Sequence, residues 1–324
     1  MALEILDVDL LRFESGSRDA RDAATDGVLR SLETGFVYLA HDLPPDLLDE
    51  AYGRLQDFFG LDEDAKRACV VPHSNGQSGY TGTLVETAAD SDLPDWKEML
   101  NWGHELPEGH PLRRRYPHRY MPRRFVDDYV PGMTEALGRL YDRLLDLQRR
   151  FLRIVAVGLG CHESYFDEMT RDGATLCRAI RYPPMADAPT RGHEWAGSHA
   201  DINLVTVLPR ATARGLQVEL QGAWVDAVPP EGRAILNTGL MLERLSNGRI
   251  PAGMHRVVAS GDPTQERISV VQFCHPTPST ILAPLQTCVT EDRPPRHAPI
   301  TAGDWLDQVL YDINLVEDER RLKE

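Results

Sequence analysis

The second half of this 324-residue chain consists of short β-rich runs separated by turns. After Gly173, segments rich in Val, Ile, Leu and aromatic residues alternate with Gly, Pro and Asn. Many short strands at such spacing are typical of an antiparallel sandwich or barrel. The pattern therefore predicts a mainly β fold with a jelly-roll-like core. The candidate strands, in chain order, are TLCRAIRY, NLVTVL, GLQVEL, AWVDAV, RAILNTG, HRVVAS and RISVVQF.

Helical patterns flank this β-rich block on both sides. Two amphipathic segments, DAATDGVLRSLETGF and PPDLLDEAYGRLQDFFGL, enclose a short strand candidate, FVYLAH, and a long amphipathic helix is predicted over 131–160. Residues 72–96 are rich in Gly, Ser, Thr and Asp, which predicts a loop. We expect one packed structural domain made of an N-terminal mixed α/β region (1–120), a connecting helix region (121–174), a β core (175–285) and a C-terminal helical segment (286–324).

Composition and charge restrict the classes of partner. The formal net charge is −15 and the pI is about 5.2, which argues against general attraction to nucleic acid or to anionic membrane surfaces. No apolar run is long enough to span a bilayer, and the start, MALEILDVDLLRFESGS, lacks the features of a signal peptide. The five scattered cysteines show no CxxC spacing and predict a reducing compartment. We expect a cytoplasmic protein that binds a small molecule; its oligomeric state is left open.

The stretch GSHADINLV places His199 and Asp201 two residues apart at the start of an apolar run. Residues i and i+2 of a strand project to the same face, so the imidazole and the carboxylate point together. A hydrogen-bonded pair near a strand end is one interpretation. The other adds His255, from GMHRVV, as a third ligand. Two imidazoles and one carboxylate form the facial triad that binds non-haem Fe(II) and leaves coordination positions open.

The strand candidate RISVVQF carries a second polar pattern. By the period of two, Arg267, Ser269, Val271 and Phe273 share one face. A guanidinium and a hydroxyl among apolar side chains suit the binding of a buried carboxylate. The alternative is an ion pair on an edge strand. The order His-x-Asp, His and Arg-x-Ser within one β-rich block favours the first interpretation.

Taken together, these motifs resemble the isopenicillin N synthase-like branch of the 2-oxoglutarate/Fe(II)-dependent dioxygenases. The resemblance covers nearly the whole chain, and its most specific residues are HADINLVTVL, LERLSNGRIPAGMHRVV and RISVVQF. RYPP precedes the first ligand motif, and TGFVYLAH, FFGLDEDAKR and PDWKEML match the N-terminal region of the family. The resemblance implies a double-stranded β-helix, a cupin-like jelly roll, with flanking helices.

The resemblance also implies roles for particular residues. His199, Asp201 and His255 match the iron ligands, whereas Arg267 and Ser269 match the pair that holds the distal carboxylate of 2-oxoglutarate. Tyr182 matches an aromatic position that lines the same pocket. A weaker local resemblance of TRDGATLCRAIRYPP to bacterial ethylene-forming enzymes includes Arg178. As candidates for substrate binding, we name Arg178, Glu86, Tyr80 and Phe273.

We therefore expect an Fe(II)- and 2-oxoglutarate-dependent oxygenase that consumes O₂ and oxidises a small metabolite, in natural-product or amino-acid metabolism. Hydrogen abstraction by an iron-based oxidant leads to hydroxylation, desaturation or cyclisation, depending on how the substrate is held. One alternative is an isopenicillin N synthase-like oxidase that does not use 2-oxoglutarate. A second is an ethylene-forming enzyme, and a third is a non-enzymatic small-molecule-binding protein on the same scaffold.

Overall fold

The computed structural model describes residues 3–72, 74, 76–85, 93–190, 192–259 and 261–312, and its centre consists of two facing β-sheets. The larger sheet contains, in spatial order, β1 (Asp7–Asp9), β2 (Phe36–Ala40), β10 (Arg233–Thr238), β7 (Val205–Leu208), β12 (Arg267–Cys274), β5 (Leu176–Tyr182), β4 (Glu98–Gly103) and β3 (Gly79–Thr81). The smaller sheet contains β6 (Ala196–His199), β11 (His255–Val257), β8 (Leu216–Leu220) and β9 (Ala223–Asp226). A separate pair consists of β13 (Ile281–Leu282) and β14 (Ile300–Thr301).

Helices cover the outside of these sheets. They are α1 (Leu10–Ser15), α2 (Arg18–Ser31), α3 (Pro45–Phe59), α4 (Glu63–Arg67), α5 (Pro111–Arg115), α6 (Met133–Gly158), α7 (Asp167–Arg171), α8 (Leu240–Leu245) and α9 (Ala302–Asp312). Among the described residues, no helix combines the length and the apolar character needed to cross a membrane.

The mainly β fold is confirmed, and each of the seven strand candidates contains a strand. All the strand pairs of the two sheets are antiparallel except β1 with β2. One prediction is wrong: β3 lies inside the segment 72–96 that was predicted to be loop. Glycine and serine gave that segment the character of a loop, but pairing with β4 fixes Gly79–Thr81 as an edge strand.

The long helix α6 packs against the outer face of the larger sheet. Its apolar stripe, from Met133 through Leu140 and Leu147 to Ile154, is at most 1% exposed, as expected of the amphipathic helix predicted over 131–160. Gln148 is also buried, and its amide donates hydrogen bonds to the carbonyls of Val205 (3.0 Å) and Gln272 (2.7 Å). The helix therefore closes one side of the sheet and leaves the opposite side to face the smaller sheet.

Cross-strand register determines which side chains enter the space between the sheets. On β12 and β5, Arg267 is paired with Tyr182, Ser269 with Ile180, and Val271 with Arg178. Directly paired residues lie on the same face of a sheet. All six residues line one cavity between the sheets, which we call the metal cavity. The strand alternation predicted for RISVVQF is thus confirmed.

Candidate metal centre

His199, Asp201 and His255 meet at the edge of the metal cavity. β6 ends at His199 and β11 begins at His255, and the two histidines are direct cross-strand partners. Asp201 follows two residues after β6. Its Oδ1 lies 3.9 Å from Nε2 of His199 and 4.0 Å from Nε2 of His255. One ligand atom from each of the three residues lies within 4.8 Å of the others.

Hydrogen bonds orient each of the three side chains. Nδ1 of His199 donates to the carbonyl of Gly197 (2.8 Å), and Nδ1 of His255 donates to the carbonyl of Gly253 (3.0 Å). Since a carbonyl only accepts, both Nε2 atoms carry the lone pair that a metal requires. These bonds are the outer-shell contacts that fix the tautomer of a metal-binding histidine.

Asp201 is oriented by two side chains of the larger sheet. Its Oδ2 accepts hydrogen bonds from Oγ1 of Thr206 (2.6 Å) and from the amide of Asn237 (2.7 Å). Thr206 and Asn237 are cross-strand partners on β7 and β10. Oδ1 of Asp201 is the atom that remains for a metal ion.

Electrostatics favour the protonation states that bind a cation. Burial raises the pKa of the Asp201 carboxyl, but the two imidazoles and the hydrogen bonds from Thr206 and Asn237 outweigh burial, so the net shift is downward. Partial desolvation at the cavity and the neighbouring His255 lower the pKa of His199 below its usual value. The site at neutral pH therefore offers one carboxylate and a neutral His199 imidazole.

The donor set fits a divalent transition metal. Because metal–nitrogen bonds are about 2.0–2.1 Å long, two donors at right angles on one ion lie about 3 Å apart. Asp201 Oδ1 lies 3.9 and 4.0 Å from the two imidazoles, so these side chains must draw together by about 1 Å when they bind an ion. Two imidazoles and one carboxylate favour iron(II) over calcium or magnesium, which prefer oxygen ligands. Three protein donors also leave positions open for other ligands.

Arg267 lies at the other end of the metal cavity. Its side chain is 2% exposed, its Nε donates to the carbonyl of Ala213 (3.1 Å), and its Nη1 donates to Oγ of Ser269 (2.8 Å). Within the described part of the chain, no carboxylate forms an ion pair with it. Burial lowers the pKa of the guanidinium. A buried cation in contact only with neutral acceptors is suited to bind an incoming anion.

Tyr182 forms the wall beside this arginine. The Arg267 guanidinium lies 5.1 Å from the centroid of the tyrosine ring. Trp195 packs against the tyrosine with ring centroids 5.5 Å apart, and the indole N–H donates to the carbonyl of Pro183 (2.9 Å). The aromatic wall is therefore itself held in place by the fold.

Arg178 and Phe273 line the part of the cavity nearer the three ligands. Nε of Arg178 donates to Oδ1 of Asn101 (2.7 Å), and the guanidinium lies 5.5 Å from the centroid of the Phe273 ring. Arg178 thus faces the metal cavity, whereas Arg181, three residues further along β5, points to the opposite face of the sheet. There it pairs with Glu98 (2.7 Å) and Glu266 (2.9 Å).

The structure does not bring Tyr80 to the metal cavity. β3 pairs Tyr80 with Leu100, on the outer face of the sheet, so the tyrosine points away from Asn101. Its hydroxyl donates to Glu98 (2.6 Å) and to Glu63 (3.1 Å). The substrate-binding role predicted for Tyr80 does not fit this position. Glu86, the fourth candidate for substrate binding, lies outside the described residues.

Comparisons with known proteins identify the family. Residues 4–126 match the model of the N-terminal region of a non-haem dioxygenase in morphine synthesis, and residues 174–276 match the 2OG-Fe(II) oxygenase superfamily. A protein from Caulobacter crescentus, whose crystal structure is assigned to the 2OG-Fe(II) oxygenase family, is 30% identical with a TM-score of 0.84. That match covers 97% of this chain and 100% of the Caulobacter chain.

The chain belongs to the 2OG-Fe(II) oxygenase superfamily. A Neurospora crassa protein, whose crystal structure is a complex with alpha-KG and thymine, is 25% identical to this oxygenase with a TM-score of 0.83, over 96% of this chain and 97% of the Neurospora chain. Mugineic-acid 3-dioxygenase from Hordeum vulgare is 28% identical over 88% of this chain and 80% of its own length. The oxygenase uses Fe(II) as its cofactor and 2-oxoglutarate and O₂ as co-substrates, and it oxidises a small metabolite.

Sequence reasoning missed three polar residues of this oxygenase site: Asn101, Thr206 and Asn237. Each is an ordinary strand residue in sequence, and although Thr206 lies within HADINLVTVL, no local pattern indicates which residue it contacts. Thr206 and Asn237 meet Asp201 only because β7 and β10 pair in one register. Asn101 meets Arg178 only because β4 pairs with β5. These contacts depend on long-range register, which a local pattern does not contain.

Proposed function

We propose that His199, Asp201 and His255 hold Fe(II) in this oxygenase. The proposal rests on the convergence of Nε2 of His199, Nε2 of His255 and Oδ1 of Asp201. The other polar atom of each side chain, Nδ1 or Oδ2, is hydrogen-bonded to protein. Each ligand residue therefore has one oriented atom for the metal. Because three donors come from the chain, the remaining positions serve 2-oxoglutarate and O₂.

Arg267, Ser269 and Tyr182 bind the distal carboxylate of 2-oxoglutarate in this proposal. The guanidinium supplies charge, the Ser269 hydroxyl lies beside it at 2.8 Å, and the Tyr182 ring forms the wall of the pocket. Burial makes the pairing strong, because water does not screen a cation that is 2% exposed. The 2-oxo acid then lies along β12, with its keto end toward the three ligands.

Iron and 2-oxoglutarate, when bound, supply oxidative decarboxylation to succinate and CO₂ and the means to abstract hydrogen from an unactivated C–H bond. The chain positions the reactants and excludes water. Thr206 and Asn237 keep Asp201 ionised, and the Gly197 and Gly253 carbonyls hold both imidazoles in the metal-binding tautomer.

The substrate contacts Arg178 and Phe273 in this proposal. A guanidinium carries five N–H donors, so Arg178 can bond both Asn101 and a carbonyl or carboxylate of the substrate. The Phe273 ring beside it offers an apolar face. We place the substrate among small metabolites of amino-acid or natural-product metabolism, and the enzyme in the cytoplasm, in keeping with its five unbridged cysteines.

An anaerobic titration tests the proposed function. Fe(II) and 2-oxoglutarate added to the metal-free protein should produce a metal-to-ligand charge-transfer band, which candidate substrates bound near the iron should perturb. Succinate formed upon addition of O₂ should require 2-oxoglutarate. A band that is equally intense in the Asp201→Ala variant would overturn the ligand assignment.

A further inference from the structure

A second cavity lies beyond the end of the metal cavity that is away from Arg267. We call it the distal cavity, and its polar lining consists of Gln77, Ser78, His118, Arg119, Thr175 and His275. Phe273 lines the metal cavity, Leu176 lines the distal cavity, and these two residues are cross-strand partners on β12 and β5. The two cavities therefore lie on either side of this pair.

His275 continues the inward face of β12. It follows Phe273 by two residues, a displacement of about 7 Å along a strand. Its backbone is fixed, because its N–H donates to Oγ1 of Thr175 (3.2 Å) and its carbonyl lies so close to Gly173 that a Cβ there would stand 2.0 Å away. The imidazole is thus presented to the distal cavity by a rigid backbone.

Two side chains of the distal cavity each bury one polar atom that makes no hydrogen bond within the described part of the chain. Ser78 is 4% exposed and His275 is 9% exposed, and neither Oγ of Ser78 nor Nδ1 of His275 has a partner among the described residues. By contrast, the buried Ser246 donates to the Glu243 and Ile250 carbonyls. Leaving a buried polar atom unsatisfied costs folding free energy, so such an atom facing a cavity indicates a ligand.

We propose that the distal cavity is a second subsite for the organic substrate, in which Ser78 and His275 bind an uncharged group that both donates and accepts hydrogen bonds, such as a carboxamide. This inference rests on the proposed function, because it places the reacting carbon of the same substrate near the iron. The substrate then extends past the Phe273–Leu176 pair. Ser78 and His275 hold its carboxamide beyond Phe273, in the direction in which β12 runs.

The charges around the distal cavity favour a neutral ligand over an anion. The Arg119 guanidinium is engaged by Asp307 of α9. Burial and the nearby Arg119 charge lower the pKa of His275 to about 3, so the imidazole is neutral at physiological pH. A neutral imidazole and a hydroxyl each offer both a donor and an acceptor, which matches a carboxamide at both of its polar atoms.

Saturation-transfer NMR with acetamide as the probe tests the subsite in metal-free protein. Acetamide should bind, and Ser78→Ala and His275→Leu should each weaken its binding about fivefold, the loss of one ordinary hydrogen bond. With Mn(II) and 2-oxoglutarate bound, the metal should also relax the methyl protons of acetamide. This relaxation should decrease in both variants.

Thermal unfolding distinguishes a role of Ser78 and His275 in binding a ligand from a role in stabilising the fold. Because Ser78 Oγ and His275 Nδ1 bond no other group among the described residues, both variants should keep or raise the melting temperature. Ser246→Ala is the matched control, and it should lower the melting temperature while acetamide binding stays unchanged. Acetamide binding that both variants retain would overturn the proposal, as would tighter binding of acetate. The charge-transfer band measured on the same variants reports separately whether the iron and 2-oxoglutarate sites are intact.

Discussion

Arg178 and Arg181 lie three residues apart on β5, yet they face opposite sides of the sheet. On the outer face, Arg181 joins a network in which Glu98 accepts from Lys66 (2.7 Å), Tyr80 (2.6 Å) and Arg181 (2.7 Å). On the inner face, Arg267 is surrounded by neutral acceptors, and Asp201 keeps one oxygen for a metal. Polar groups that are fully engaged by protein stabilise the fold, whereas those that keep bonding capacity facing a cavity serve ligands.

The largest effect is expected at Asp201, on the inner face. Asp201→Ala removes the only anionic protein ligand, so Fe(II) affinity and turnover should be lost. The fold should persist, because backbone carbonyls hold both histidines without metal. Iron content, succinate formation and circular dichroism measure the three results. Turnover comparable to that of the unmodified enzyme would show that these residues are not the metal site.

Arg267→Ala should have the next largest effect. Removing one partner of a buried charge pair costs about 3–5 kcal/mol, which is two to three decades or more in affinity. The KM for 2-oxoglutarate should rise accordingly, while Fe(II) affinity changes little. Arg181→Ala is the matched control on the outer face and should leave this KM unchanged. An unaltered KM in Arg267→Ala would mean that another cation holds the distal carboxylate.

On the outer face, Glu98→Ala should affect stability rather than chemistry. Glu98 is 2% exposed, and its removal leaves the buried Lys66 ammonium without its closest partner. The expected loss is about 3–5 kcal/mol of unfolding free energy, measured by denaturant titration. The double change Lys66→Met and Glu98→Leu should recover much of this loss. If the KM for 2-oxoglutarate also changed in Glu98→Ala, the outer face would not be separate in function from the inner face.

Of these variants, Arg178→Gln should have the smallest effect on function or stability. It tests directly whether Arg178 differs in role from Arg181. If Arg178 binds substrate, the KM for substrate should rise about thirtyfold, or about 2 kcal/mol. The melting temperature should remain near that of the unmodified enzyme. A lower melting temperature with unchanged kinetics would assign Arg178 to a structural role like that of Arg181.

The sequence predicted those parts of the molecule that depend on local periodicity. The alternation in RISVVQF predicted that Arg267, Ser269 and Phe273 share a face, and the structure confirms it. Tyr80 was misplaced because its segment lacks a strand pattern, so nothing in it indicates which face the ring occupies. Asn237 was missed because its contact with Asp201 is created by pairing between distant strands. Local patterns predict a side chain's neighbours within a strand, but not across strands.

The close packing of Gly35 against Gly253 has a consequence for the order of assembly. A Cβ at Gly35 would stand 2.5 Å from Cα of Gly253, and the Gly35 carbonyl accepts a hydrogen bond from Thr238, 203 residues along the chain. Gly253 is also the residue whose carbonyl aims His255. The turn that presents the last metal ligand is therefore built against a turn that comes far earlier in the chain. Closing so large a loop is entropically slow, so competence to bind iron should arise late, after synthesis of the β core.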